Sequence, residues 1–115
     1  MDKKKEEDLL SGLLLELRRG TIILSVLSQL KQPQYGYSLV VLLETKKIPV
    51  DAGTLYPLLR RLEKQEILES VWDTDTAKPR KYYVLSEFGI KLYDQLCEEW
   101  LKMVETMNLI IKEKE

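Results

Sequence analysis

Apolar residues between Leu9 and Leu30 recur three and four apart: Leu10, Leu13, Leu14 and Leu17, then Ile23, Leu24, Leu27 and Leu30. That spacing is one face of an α-helix. Gly20 interrupts it, with Arg18-Arg19 before and Thr21, a candidate N-cap, after. The pattern fits one long first helix or a short N-terminal helix running into a second. The mixed charges of Met1–Asp8 predict a frayed tail. Lys31–Gln34 reads as a loop around Pro33, and Gly36 marks a new start. Tyr37, Leu39, Val40, Leu42 and Leu43 predict a short helix ending near Lys46-Lys47, where cations suit the helix dipole. Pro49 cannot continue it.

A third helix is predicted to begin between Asp51 and Leu55, with Asp51 or Thr54 as N-cap and Pro57 confined to the first turns. Leu55, Leu58, Leu59 and Leu62 form its buried stripe, while Tyr56, Arg60, Arg61 and Lys64 take the opposite face. Ile67–Trp72 and Lys81–Leu85 are rich in β-branched and aromatic residues and predict strands. Asp73-Thr74-Asp75-Thr76 supplies turn chemistry between them, and Pro79 stands at the loop-to-strand boundary. Alternation sends Tyr82 and Tyr83 to opposite faces, so one belongs to the core; Trp72 is also expected there.

Ser86 is a good N-cap for a final helix, with Glu87 in its first turn. Tyr93, Cys97, Trp100, Val104, Met107 and Ile111 then follow at alternating spacings of four and three. This is a heptad seam of nearly three repeats running to the end of the chain. Left bare, it would put Trp100, Met107 and Ile111 in water; the same helix of a second copy would cover them.

The composition, 44% hydrophobic and 32% charged over 115 residues, suits one globular domain. A net charge of −1 argues against nucleic acid only until its distribution is read. Residues 13–91 carry twelve Lys/Arg against nine Asp/Glu, whereas residues 92–115 carry three Lys against six acidic residues. An acidic C-terminal segment thus masks a mildly basic body. Cys97 is the one cysteine, which excludes an intrachain disulfide and suggests a reducing compartment. There is no histidine, which removes His-based metal sites, Ser-His-Asp triads and Cys-His dyads. With no glycine-rich phosphate loop and no clustered carboxylate pair, an enzyme is not expected, and neither is a cofactor or a metal. The N-terminus lacks a signal-peptide apolar core and no run reaches the roughly 20 apolar residues a membrane span needs. The expected location is the cytoplasm.

The order helix, helix, helix, hairpin, long helix describes a winged helix-turn-helix followed by a dimerisation helix: mainly α with a small β-hairpin. The expected organisation is an N-terminal extension over 1–12, a DNA-binding domain over 13–86 and a dimerisation helix over 87–115. Arg60, Arg61 and Lys64 are expected to reach phosphates or guanine edges, with Thr54 and Tyr56 near the helix start. Lys78, Arg80 and Lys81 are expected to hold the wing on DNA.

The run from Leu30 to Leu43, followed by AGTLYPLLRRLEKQ and PRKYYVLSEFG, resembles the PadR family of bacterial transcriptional regulators. The resemblance spans roughly Leu13 to the C-terminus. It implies a winged-helix repressor that binds a palindromic double-stranded operator as a homodimer. The family's recognition-helix motif matches at Thr54, Leu55, Tyr56, Pro57, Leu58, Leu59, Arg61 and Leu62, and its wing motif at Pro79, Arg80, Lys81, Tyr82 and Tyr83. Ser86 and Phe88 depart from the family's usual Thr and Lys, which keeps the cap and removes one charge. Trp100, flanked by Leu96 and Met103, is placed to bind a small planar aromatic effector between subunits, against the alternative of plain interface packing. The rival functional class is a winged-helix protein–protein interaction module, which would not need the cations of the third helix and wing.

Overall fold

In a computed structural model, which describes residues 2–113, the chain forms helices α1 (Lys3–Arg19), α2 (Ile22–Ser28), α3 (Gly36–Thr45), α4 (Ala52–Lys64) and α5 (Glu87–Lys112), with strands β1 (Gln34–Tyr35), β2 (Leu68–Asp73) and β3 (Arg80–Leu85). Within the N-terminal charge run expected to fray, the described residues are helical from Lys3 onward, and Asp2 caps α1 by accepting from the Lys4 amide at 3.2 Å; Met1 lies outside the described residues. Gly20 and Thr21 do break the first helix in two. Thr21 occupies the N-cap position of α2, as expected, but makes no side-chain capping bond there; its hydroxyl donates back to the Arg18 carbonyl at 2.7 Å.

Asp51, not Thr54, caps α4; its carboxylate accepts from the Thr54 amide at 2.8 Å. Pro57 is the sixth helical residue, one turn deeper than a proline costs nothing, so the Gly53 carbonyl loses its intrahelical partner. Both α3 and α4 end in the same hydrogen-bonded reversal. Ile48 donates to Leu43 and Lys47 to Glu44; Ile67 donates to Leu62 and Glu66 to Glu63. The pivot of each is a residue at φ 64°, Lys47 and Glu66, where glycine is the usual occupant.

Leu27 and Leu30, Leu39 and Leu43, and Leu55, Leu59 and Leu62 meet in one core beneath Leu68, Tyr83 and Leu85 of the sheet. Leu58, expected in the same stripe, is partly buried and packs against that core. The sheet has the order β1-β3-β2 and is antiparallel throughout. Strand β1 lies partly in the segment read as loop; two residues give too little alternation to reveal it, and the hairpin becomes a three-stranded sheet. Its Gln34 and Tyr35 pair with Tyr83 and Tyr82. Tyr83 is the core tyrosine and Tyr82 the half-buried one.

Trp72 is not core: it is 59% exposed. Leu68, Ser70 and Trp72 pair with Leu85, Tyr83 and Lys81, so all share the face turned toward α4. Trp72 thus lies on the inner face of the sheet, but the core covers only the inner end of that face.

Two helices project from this body. α5 has 26 residues, about 39 Å of helix, and Gly89 is its only buried residue. α1 buries none. The radius of gyration, 17.5 Å, exceeds the roughly 13 Å of a compact chain of this length. Replacing Glu66 by glycine should relieve its left-handed backbone and raise stability by about 0.5–1 kcal/mol. A urea titration should show a higher midpoint at unchanged slope; a lower midpoint would contradict the assignment.

Candidate nucleic-acid interface

Burial of Leu55, Leu59 and Leu62 fixes the rotation of α4 about its axis and turns Thr54, Tyr56, Arg60, Arg61 and Lys64 to the outside. Tyr56, Arg60 and Lys64 follow one another a turn apart along one stripe. The start of α3 passes directly beneath Tyr56: a side chain on Gly36 would overlap the Tyr56 ring. Glycine is therefore needed at position 36 to let the aromatic ring lie against the backbone. That function was not legible from the pattern, where Gly36 marked only a helix start.

The wing contributes three further cations, which are not equivalent. Lys78 is exposed in the loop that joins β2 to β3. Arg80 is exposed at the start of β3 with its guanidinium 4.7 Å above the Tyr35 ring, which in turn meets Tyr82 edge-on at 5.6 Å. Lys81 behaves differently. Its Nζ donates to Glu63 of α4 at 2.7 Å and lies 5.1 Å from the Tyr83 ring centre. The Ser70 hydroxyl donates to the other oxygen of the same carboxylate. Strand register explains the difference, because Lys81 falls on the helix-facing side and its charge is spent within the fold.

Hydrogen bonds from Lys81 and then Ser70 hold the Glu63 carboxyl below the usual carboxylate range, and the Glu63 bond raises Lys81 above the usual amine range. Among the described residues, none of Arg60, Arg61, Lys64, Lys78 and Arg80 is held in an ion pair. The surface formed by α4 and the wing thus offers five uncommitted cations. The sixth cation expected to join them instead fastens the wing to the helix.

On the opposite side of the body, α5 leans on α2 and leaves a cleft of 520 Å³. Leu96, Trp100 and Met103 line it together with Leu17, Ile23 and Leu24. The heptad seam divides here. Tyr93 packs against the core of its own domain, with Lys31 Nζ 5.4 Å above its ring. Cys97 and Val104 are half-buried, and Trp100, Met107 and Ile111 are exposed at 39%, 53% and 71%. Leu9, Leu10, Leu13 and Leu17 of α1 are all more than half exposed, a second apolar face alongside the seam. No described helix is long and apolar enough to cross a membrane.

The family model for the transcriptional regulator PadR-like family matches residues 23–95, the span from α2 into α5. A crystal structure of a PadR family transcriptional regulator from Eggerthella lenta is 41% identical, covering 96% of this chain and 99% of that one at a TM-score of 0.92. A PadR-like transcription factor from Bacteroides fragilis is 32% identical, with 86% and 98% covered and a TM-score of 0.71. A transcriptional regulator from Clostridium thermocellum is 31% identical, with 84% and 99% covered and a TM-score of 0.74.

The Glu63 carboxyl titrates lower in the folded chain than in the unfolded one. Its contribution to stability is therefore present above the ordinary carboxylate range and is lost as pH falls below about 4. Glu63→Gln should be less stable near neutral pH and should flatten the acid limb of a plot of unfolding midpoint against pH. An acid limb as steep as that of the parent protein would show that the pair does not stabilise the fold.

Proposed function

The chain belongs to the PadR-like family of DNA-binding transcriptional regulators, and we propose that it acts as a homodimeric repressor on a palindromic operator. The observation that carries this reading is the row of unpaired cations on α4 beside the wing. A helix held by its leucine stripe with Arg60, Arg61 and Lys64 outward can lie in a major groove. There, arginine meets guanine edges bidentately while lysine meets phosphates. Thr54 and Tyr56 face the same groove near its entry, and Lys78 and Arg80 hold the wing on the flanking backbone.

The dimer is proposed from the exposed half of the seam. Trp100, Val104, Met107 and Ile111 offer apolar surface that water does not solvate well, and Cys97 borders it. Tyr93 supports the base of the helix from its own domain. A two-fold axis along α5 would set two α4 helices on one side of the duplex, about one DNA turn apart. The acidic balance then sits in the dimerisation helix, away from the DNA.

The cleft beside Trp100 is proposed as the effector site. Leu96, Trp100 and Met103 supply an apolar wall with one indole, which suits a flat aromatic ligand. Location in the cytoplasm and the absence of catalysis follow from the same reading. Arg61→Ala should weaken duplex binding severalfold in a gel-shift titration at fixed salt, with the protein still folded and of unchanged oligomeric state. Unchanged affinity would remove Arg61 from the contact surface.

A further inference from the structure

Trp72 is a large aromatic side chain left 59% exposed on a polar wing, and the fold gives it no partner in the core. It helps line a 310 Å³ hollow with Tyr56 of α4, Tyr37 at the start of α3, and Pro79, Arg80 and Lys81 of the wing. The hollow opens where β1 stops after Tyr35, so beyond Tyr82 strand β3 has no neighbour on that side. Its walls come from the three elements that converge on the proposed DNA surface. Tyr56 connects it to the cationic stripe, since Arg60 follows one turn along α4. The lining is largely aromatic and includes two cations; Lys81 is paired with Glu63, whereas Arg80 lies over the Tyr35 ring and, among the described residues, is in no ion pair.

Apolar ring faces beside one free guanidinium and tyrosine hydroxyls match the sugar-phosphate backbone. A deoxyribose packs on a ring, and the adjoining phosphate takes the cation and hydroxyl donors. Such a site carries no base information and reads the position of a strand. We propose that the Trp72 hollow seats one sugar-phosphate unit of the duplex between recognition helix and wing, with the indole packed on the deoxyribose and Arg80 on the phosphate. Trp72 is then a positioning contact that fixes how deeply α4 enters the groove. The inference rests on the DNA-binding reading and adds to it a residue expected from the sequence to lie in the core.

The test compares the parent protein with Trp72→Phe, Trp72→Ala and Arg80→Ala on a duplex that the parent binds. Tryptophan emission should change when duplex is added to the parent and should lose most of that change in Trp72→Phe. Trp72→Ala should lose at least about fivefold in affinity, a factor corresponding to about 1 kcal/mol. It should do so on specific and unrelated duplexes alike, with thermal stability and the salt slope unchanged. Arg80→Ala should lower the salt slope by about one ion. If the parent binds duplex but emission and affinity are the same with and without Trp72, the hollow is not a backbone seat and the DNA-binding reading stands. A Trp72 emission change that follows protein concentration without DNA would assign the hollow to a second copy and overturn the proposal. Failure of the parent to bind any duplex, specific or random, would overturn both readings together.

Discussion

Everything the proposed DNA surface does depends on the carboxylate of Glu63. It sits on the last full turn of α4 and accepts from Lys81 of β3 and Ser70 of β2, so one side chain joins the recognition helix to both strands of the wing. Helix and wing share one apolar core through Leu59 and Leu62 of α4 and Leu68, Tyr83 and Leu85 of the strands, and the Glu63 bonds join them outside it. An ion pair about a third exposed contributes little in isolation. Its value lies in direction: two donors, one from each strand of the wing, meet at one carboxylate of α4. Lys81 is thereby tied to α4, while among the described residues the cations around it are in no ion pair.

A second junction transmits that orientation to α5. The Ser86 amide donates to the Ile67 carbonyl at 3.0 Å, and its hydroxyl donates to Glu66 at 2.7 Å while capping α5 through the Gly89 amide. A side chain on Gly89 would run into the Ile67 carbonyl. The end of α4, the start of β2 and the start of α5 are therefore packed backbone against backbone. Whatever shifts α5 must act on the reversal at Glu66 and so on the wing's attachment. In the proposed dimer this links the cleft at Trp100 to the spacing of the two recognition helices through contacts already formed in one protomer.

Much of this architecture was legible in the chain because period and punctuation agree. The leucine stripe of α4, the Ser86 cap and the Pro79 boundary each appear where sequence rules put them. The misreadings share a cause: local pattern specifies a face but not what lies over it. Trp72 is on the inner face of β2, past the end of the core. Lys81, one of the wing's basic residues, is also brought by register onto Glu63, which the pattern alone does not show. Thr21 stands at the N-cap of α2 without a side-chain capping bond, and Asp51 rather than Thr54 caps α4. β1 is too short to show alternation, and the need for glycine at 36 arises from Tyr56, twenty residues away.

The leucines of α1 and the outer half of α5 are exposed in one protomer, and the proposed two-fold reader would cover those surfaces and place the acidic helix away from DNA. Selection of bound sequences from random duplexes, followed by footprinting of the winners, tests this most directly. The account predicts enrichment of an inverted repeat whose half-sites lie about one helical turn apart, roughly 34 Å, with protection on one face of the duplex. Enrichment of a single asymmetric site, or no enrichment at any salt concentration, would contradict it.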